Sequence, residues 1–193
     1  MNPNPFFNVY IGPMFGAKTT RLLADIDRLK YKGKKVVAFK PDIDKRYTVD
    51  KISSHNNGTI EAYCISSAEE ILMFIAKSEE EENERVHTIA VDEAFMIDNV
   101  DKVLINCFSL GYNIIVSSIQ MNTQNKPFDN IKNMLPWATK INVCPAVCTM
   151  CDKDAYYTEA LFDIENASQE DKIGGKEMYE PRCAEHYSDF NLK

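Results

Sequence analysis

The segment Gly12-Pro13-Met14-Phe15-Gly16-Ala17-Lys18-Thr19 constrains the fold more than any other stretch of the chain. It follows a short apolar, β-favouring run, Phe6 to Ile11. It precedes Thr19 to Lys32, where Leu22, Leu23, Ile26 and Leu29 recur at helical spacing. A strand that turns into a helix through such a loop aims successive backbone N–H groups at one point, and the helix dipole adds positive charge there. That geometry binds anions, phosphate above all. Lys18 would bring a point charge to the β- and γ-phosphates, and the Thr19 hydroxyl would enter the coordination sphere of Mg²⁺. In the usual form of this loop glycine stands immediately before the lysine. Here that place is Ala17, and the glycine is displaced to Gly16. If the backbone there needs positive φ, alanine costs about 1–2 kcal/mol.

The rest of the chain fits a layered α/β protein. Gly33 closes the first helix, amid Lys30, Lys32, Lys34 and Lys35, and Val36 to Lys40 reads as a second strand stopped by Pro41. Asp42 to Gly58 is polar and reads as a long loop. A strand is expected within Thr59 to Ile65 and a helix within Ala68 to Lys77. Thr88 to Val91 and Ile114 to Ser118 read as buried strands. Asn99 to Leu110 reads as a helix closed by Gly111, and Pro127 to Leu135 as a short helix stopped by Pro136. Short strands, apolar throughout and alternating with helices, imply a parallel sheet covered on both faces. After about Val143 helical periodicity gives way to cysteines, aromatics and a Gly-Gly pair. The expected organisation is an α/β domain over residues 1–143 and a small lobe over 144–193.

Asp92-Glu93 ends the Thr88 to Val91 strand. With a phosphate loop upstream, Asp92 stands where an acidic residue holds Mg²⁺ through water, and Glu93 can reach the same crevice and take a proton from an attacking hydroxyl. By itself an Asp-Glu pair is as well read as the cap of a following helix. Together with the loop it points to phosphoryl transfer.

Six cysteines raise the question of disulfides. Cys148-x2-Cys151 is followed, after 31 residues, by Cys183-x2-His186, which is ligand spacing for tetrahedral Zn²⁺. A closed set of four leaves no position for a reacting water, so the metal is expected to be structural. Cys144 is a spare candidate ligand. Bound metal in a reducing compartment fits these cysteines better than an oxidised, secreted protein.

The formal net charge of −7 disfavours broad adhesion to nucleic acid or anionic membrane. No stretch approaches the ~20 apolar residues of a membrane helix, and the N-terminus lacks a signal-peptide pattern. A cytoplasmic protein is expected. The run Glu79 to Glu82 reads as a solvated loop or helix end.

Gly12-Pro13-Met14-Phe15 with Lys18-Thr19, Asp92-Glu93 and the late Cys-x2-Cys…Cys-x2-His together resemble the thymidine kinase family with a P-loop core and a zinc lobe, found in vertebrates, bacteria and viruses. Further matching stretches are Lys40-Pro41, Asp44-Lys45-Arg46-Tyr47, Ser54-His55, Lys126-Pro127-Phe128 and Ile173-Gly174-Gly175 with Tyr179. The resemblance spans about Asn8 to Tyr187. It implies a P-loop NTPase-like parallel sheet with flanking helices, a C-terminal zinc-ribbon lobe and usually a homotetramer. The implied activity is ATP-dependent phosphorylation of thymidine at the 5′-hydroxyl, a salvage step toward DNA synthesis.

Residue by residue, the resemblance makes Glu93 the general base. Gly12 to Thr19 and Arg46 become the phosphate binders, and Thr19, Asp92 and Asp44 the organisers of Mg²⁺. Met14, Phe95, Thr123, Phe128, Ile173, Gly174, Gly175 and Tyr179 would surround the nucleoside, the last four within a "lasso" anchored by the zinc at Cys148, Cys151, Cys183 and His186. The sequence also departs from the family. The pattern Asp-Glu-x-Gln-Phe is here Asp92-Glu93-Ala94-Phe95-Met96, and Asp-Gly-x-Phe is Gln120-Met121-Asn122-Thr123, so Thr123 replaces an aromatic expected at the base. Three other readings stay open: a kinase of this fold for another or modified deoxynucleoside, a homologue weakened by Ala17, and a zinc-ribbon nucleic-acid module. Against the last stands the acidic balance of the chain.

Overall fold

The computed structural model describes residues 2–42, 51–53, 58–122, 125–162 and 177–188. The strands are β1 (Phe7–Ile11), β2 (Val36–Pro41), β3 (Lys51–Ser53), β4 (Thr59–Glu61), β5 (Tyr63–Ile65), β6 (Thr88–Val91), β7 (Asn113–Ser118), β8 (Lys140–Val143), β9 (Ala146–Val147), β10 (Asp154–Ala155), β11 (Tyr157–Ala160) and β12 (Tyr179–Arg182). The α-helices are α1 (Lys18–Tyr31), α2 (Glu69–Glu82), α3 (Val100–Ser109) and α4 (Asp129–Met134). Six strands form one parallel sheet in the order β5-β2-β6-β7-β1-β8.

Both faces of this sheet are covered. Phe7, Val9, Phe39, Ile89, Val91, Ile114 and Val116 face α2, α3 and α4 in the larger core. Tyr10, Ala38, Ala90 and Ile115 face α1 and the β3–β4 hairpin in the smaller one. The small Ala38 and Ala90 let α1 lie close to the sheet, where Leu22 and Ile26 are fully buried. Each such aliphatic side chain contributes about 1.5–3 kcal/mol on burial.

Three expectations needed correction. The Asp42 to Gly58 stretch, read as a long loop, contains strand β3 at Lys51–Ser53. Thr59 to Ile65 is two strands: β4 pairs antiparallel with β3, while β5 joins the main sheet beside β2. The sheet also gains β8, which has no counterpart in the expected element order. Lys140-Ile141-Asn142-Val143 alternates polar and apolar, and as an edge strand it buries little, so it lacks the continuous apolar run of the central strands. The Glu79 to Glu82 run ends α2 as expected, but Glu79 is structural. Its Oε1 accepts from the Val86 N–H at 2.8 Å and from the Tyr112 hydroxyl at 3.1 Å.

The order places β6, β7 and β1 side by side. Val91 is level with Val116, and Ile11 with Ser118, so the strands end together at one rim. In an open parallel sheet the carboxyl rim is where ligands bind.

Candidate active site and metal centre

The loop after β1 is held from below by the chain that follows β8. Cys144 N–H donates to the Ile11 carbonyl at 2.7 Å, and the Cys144 carbonyl oxygen lies under the loop. A Cβ on Gly16 would stand 2.5 Å from that oxygen, and one on Gly12 closer still. Both glycines are therefore required by close approach. Ala17, in contrast, carries the left-handed conformation, at φ 54° and ψ 27°. Its methyl group is exposed, so its cost of roughly 1–2 kcal/mol lies in the backbone and not in a collision.

Ala17 caps α1 with no side-chain hydrogen bond, and no acidic residue lies in the first turn. In α2, by comparison, Glu70 Oε1 accepts from the Ser66 N–H, the Ser66 hydroxyl and the Ser67 N–H. The Ser66 hydroxyl leads in holding that carboxyl below its ordinary range. The start of α1 has no such internal anion, which suits it to an external one. Lys18 is buried and donates across the loop to the Pro13 carbonyl at 2.6 Å.

We expect Ala17→Gly to raise the melting temperature slightly and leave the KM for ATP unchanged. The relief of strain exceeds the added unfolded-chain entropy, about 0.5–1 kcal/mol, by up to about 1 kcal/mol. That is roughly 2–4 °C for a chain of this size. A lower KM for ATP at unchanged melting temperature would place the handicap in nucleotide binding instead.

Asp92 follows β6 and meets α1. The Thr19 hydroxyl donates to it, 3.1 Å from Oδ1 and 3.1 Å from Oδ2. Ser117 at the end of β7 also donates to Asp92 Oδ1. The Asp92 N–H donates to the Phe39 carbonyl at 3.0 Å. A hydroxyl and a carboxylate are the oxygen donors Mg²⁺ takes, and Thr19 would meet the ion directly with Asp92 reaching it through water. The next residue, Glu93, is also left-handed, at φ 49° and ψ 43°. Glutamate in this conformation is strained, and strain of this kind gathers at functional sites.

The short 3₁₀ turn Ala94–Met96 follows. Phe95 N–H donates to the Ser118 hydroxyl at 3.2 Å, and its ring packs on Phe128 with centroids 4.8 Å apart. The structure thus brings together Lys18, Thr19, Asp92 and Glu93, and pairs Phe95 with Phe128. Asp44, Arg46, Thr123, Ile173, Gly174 and Gly175 lie outside the described residues, as do Tyr47, Ser54 and His55. Tyr179 is buried on β12, edge-on to Phe162 at 5.5 Å. Ser117, Ser118 and Thr158 escaped the sequence reading, because a single hydroxyl residue at a strand end carries no spacing signal.

Cys148, Cys151, Cys183 and His186 converge, with their donor atoms all within 4.8 Å of one another. Cys148 Sγ lies 3.8 Å from His186 Nδ1, Cys151 Sγ 3.6 Å from Cys183 Sγ, and Cys183 Sγ 3.4 Å from His186 Nδ1. Edges of roughly 3.5–3.8 Å are those of a tetrahedron with Zn–S near 2.3 Å and Zn–N near 2.0 Å. The set is compatible with zinc. Burial alone would raise the Cys148 thiol. The Cys183 and Met150 backbone N–H groups, with the His186 and Cys183 side chains, instead bring it down to about 6, toward the thiolate a metal needs. Cys144 belongs elsewhere: it is buried on the α1 side of the sheet.

This lobe touches the phosphate loop directly. Its centre is Ala146, Cys148, Ala155 and Cys183, and Phe15 of the loop packs into it. The Met14 N–H donates to the Thr158 hydroxyl of β11 at 3.1 Å. Gly12, Pro13, Gln120, Met121, Tyr157 and Thr158 line a cleft between loop and lobe.

The sequence model of the family described as "Thymidine kinase" matches residues 6–187. The chain belongs to the thymidine kinase family. It is 33% identical over 190 residues to a thymidine kinase of Onion yellows phytoplasma (strain OY-M), covering 94% of this chain and 86% of that protein. It is 34% identical over 191 residues to a thymidine kinase of Thermococcus kodakarensis, covering 97% of this chain and 96% of that one. Membership carries the reaction of the family, ATP-dependent phosphorylation of thymidine to thymidine monophosphate.

Proposed function

We propose that the chain carries out this transfer in the crevice between the Gly12–Thr19 loop and Asp92-Glu93, with Glu93 as general base. The observation that carries the reading is the Thr19–Asp92 contact, a direct hydrogen bond that brings the strand-end carboxylate up against the start of α1. Glu93 takes the proton of the 5′-hydroxyl as that oxygen bonds to the γ-phosphorus, and the bond from phosphorus to the β-bridging oxygen breaks. Lys18 exchanges the Pro13 carbonyl for phosphate oxygens. Arg46 adds a second cation, and Asp44 joins Thr19 and Asp92 at Mg²⁺. When bound, Mg²⁺ neutralises charge on the β- and γ-phosphates.

Met14, Phe95, Thr123 and Phe128 form the base side of the pocket. Ile173, Gly174, Gly175 and Tyr179 belong to the covering lasso, whose stems are β11 and β12. Ala160 pairs with Tyr179, and the Leu161 N–H donates to the Met178 carbonyl at 2.8 Å. A structural zinc at the four-ligand cluster fixes both stems, which lowers the entropy cost of closing the loop between them. Residues 1–143 and 144–193 are the two units of this reading. It includes a cytoplasmic homotetramer, supported by the half-exposed Trp137, Ile141 and Val143 at the β8 edge. No helix among the described residues is long and apolar enough to cross a membrane.

The base preference has its own test. Gln120 stands at the family's aspartate, and its Oε1 is buried without a hydrogen-bond partner among the described residues. A second reading, preference for a modified pyrimidine, draws on this and on Thr123. Steady-state kcat/KM for thymidine, deoxyuridine and 5-substituted deoxyuridines decides between them. Thymidine first supports the primary reading, and a larger 5-substituent first supports the second.

A further inference from the structure

We propose that Asn130 is a positioning residue for Glu93, holding the turn behind it so that the carboxylate keeps its aim into the crevice. The inference rests on the reading of Glu93 as general base. Within the turn the Ile97 N–H donates to the Ala94 carbonyl at 3.2 Å, and Ala94, Phe95, Met96 and Ile97 carry no polar side chains to serve the rest. Asn130, on α4, adds donors from outside the turn. Its two Nδ2 hydrogens face three carbonyls, Ala94 at 3.1 Å, Ile97 at 3.1 Å and Phe95 at 3.4 Å, so one hydrogen is shared. Its Oδ1 accepts from the Ile131 N–H at 2.9 Å, which fixes which end of the amide faces the turn.

Other contacts hold both flanks of Glu93, but they leave the carbonyls after Ala94 to Asn130. Ahead of Glu93, Asp92 is held by Thr19, Ser117 and the Phe39 carbonyl. Behind it, the Met96 N–H closes on the Glu93 carbonyl at 3.0 Å and Ser118 receives the Phe95 N–H. Asn130 alone among these side chains donates to the turn's carbonyls. A left-handed glutamate persists only where both flanks are fixed. Ile131, fully buried, and Asn133, donating to Asp101 at 2.9 Å, fix α4 in turn. The family's glutamine two residues after the glutamate is absent from Asp92-Glu93-Ala94-Phe95-Met96, and Asn130 provides a polar anchor from another element.

The test is a kinetic set of Asn130→Ala, Asn130→Ser, Glu93→Gln and the double variant Glu93→Gln/Asn130→Ala, with ATP affinity measured by calorimetry. Loss of aim by about 1 Å costs roughly 100-fold. Asn130→Ala should therefore lower kcat by roughly 10- to 100-fold while ATP affinity stays at the wild-type value. The double variant should be no slower than Glu93→Gln alone. Asn130→Ser is too short to reach all three carbonyls and should fall between; its kcat decides if Asn130→Ala cannot be purified folded. Wild-type kcat in Asn130→Ser or Asn130→Ala, with Glu93→Gln inactive, overturns the role of Asn130 and leaves Glu93 standing. Wild-type kcat in Glu93→Gln overturns the base assignment itself. A double variant slower than Glu93→Gln by the full Asn130→Ala factor shows that Asn130 acts elsewhere.

Discussion

Glu93→Gln is expected to lower kcat by roughly 10²- to 10⁴-fold, the range for loss of one general acid–base group, with ATP affinity unchanged. The two effects separate because the residues separate. Lys18, Thr19 and the proposed phosphate loop follow β1 and open α1, while Glu93 follows β6. Glutamine keeps the volume and can still adopt the left-handed backbone, but it cannot take a proton at the carboxylate. Single-turnover mixing of enzyme, Mg-ATP and thymidine measures the step directly. Glu93→Gly adds a second contrast. It removes a backbone cost of roughly 1–2 kcal/mol, so the protein should be no less stable than wild type while its turnover is lost. Unchanged turnover in Glu93→Gln sinks the assignment.

Removal of the metal is expected to have the other large effect. Among the described residues the C-terminal lobe has a small buried cluster of Ala146, Ala155, Cys148 and Cys183, with Tyr179 and Tyr187 buried outside it. So few apolar side chains do not offset the cost of ordering two hairpins, about 1–2 kcal/mol per residue fixed. Structural zinc supplies roughly 10–16 kcal/mol in small metal-folded peptides. Chelation, or Cys183→Ser, should release about one zinc per chain, as a closed four-ligand site requires, and unfold β9 to β12. The loss should reach the phosphate loop, because Phe15 packs into the lobe and Met14 donates to Thr158. One such hydrogen bond is worth about 0.5–1.5 kcal/mol, which is up to roughly tenfold in the KM for ATP. Metal analysis, far-UV dichroism and ATP titration together check this. A zinc-free preparation with an ordered lobe would remove the metal from the account.

How far the sequence revealed this protein depends on how each element earns its place. β1, β6 and β7 are buried on both faces, so their residues are continuously apolar and stand out. The loop after β1 and the acidic pair after β6 could then be placed at the same sheet rim. The Cys148, Cys151, Cys183 and His186 cluster stood out because tetrahedral coordination would impose short spacing within each pair. β8 and β3 were hidden because an edge strand and a three-residue hairpin strand bury too little to leave a pattern. The shared role of Thr19, Ser117 and Asp92 depends on β6, β7 and β1 being neighbours, an order that no local signal encodes. Ala17 was visible as a departure, but only the structure separated its two components. Gly12 and Gly16 answer to the Cys144 carbonyl, and Ala17 carries the left-handed turn. The expected handicap is therefore one of fold stability, which the Ala17→Gly melting temperature and KM for ATP decide.

The most direct measurement follows the phosphate. Purified protein is mixed with thymidine and Mg-ATP labelled at the γ-position, and the products are separated by chromatography. Label should appear in thymidine 5′-monophosphate, mole for mole with ADP, and vanish from that product in Glu93→Gln. Release of label as inorganic phosphate with no labelled nucleotide would contradict transfer to the 5′-hydroxyl at this site.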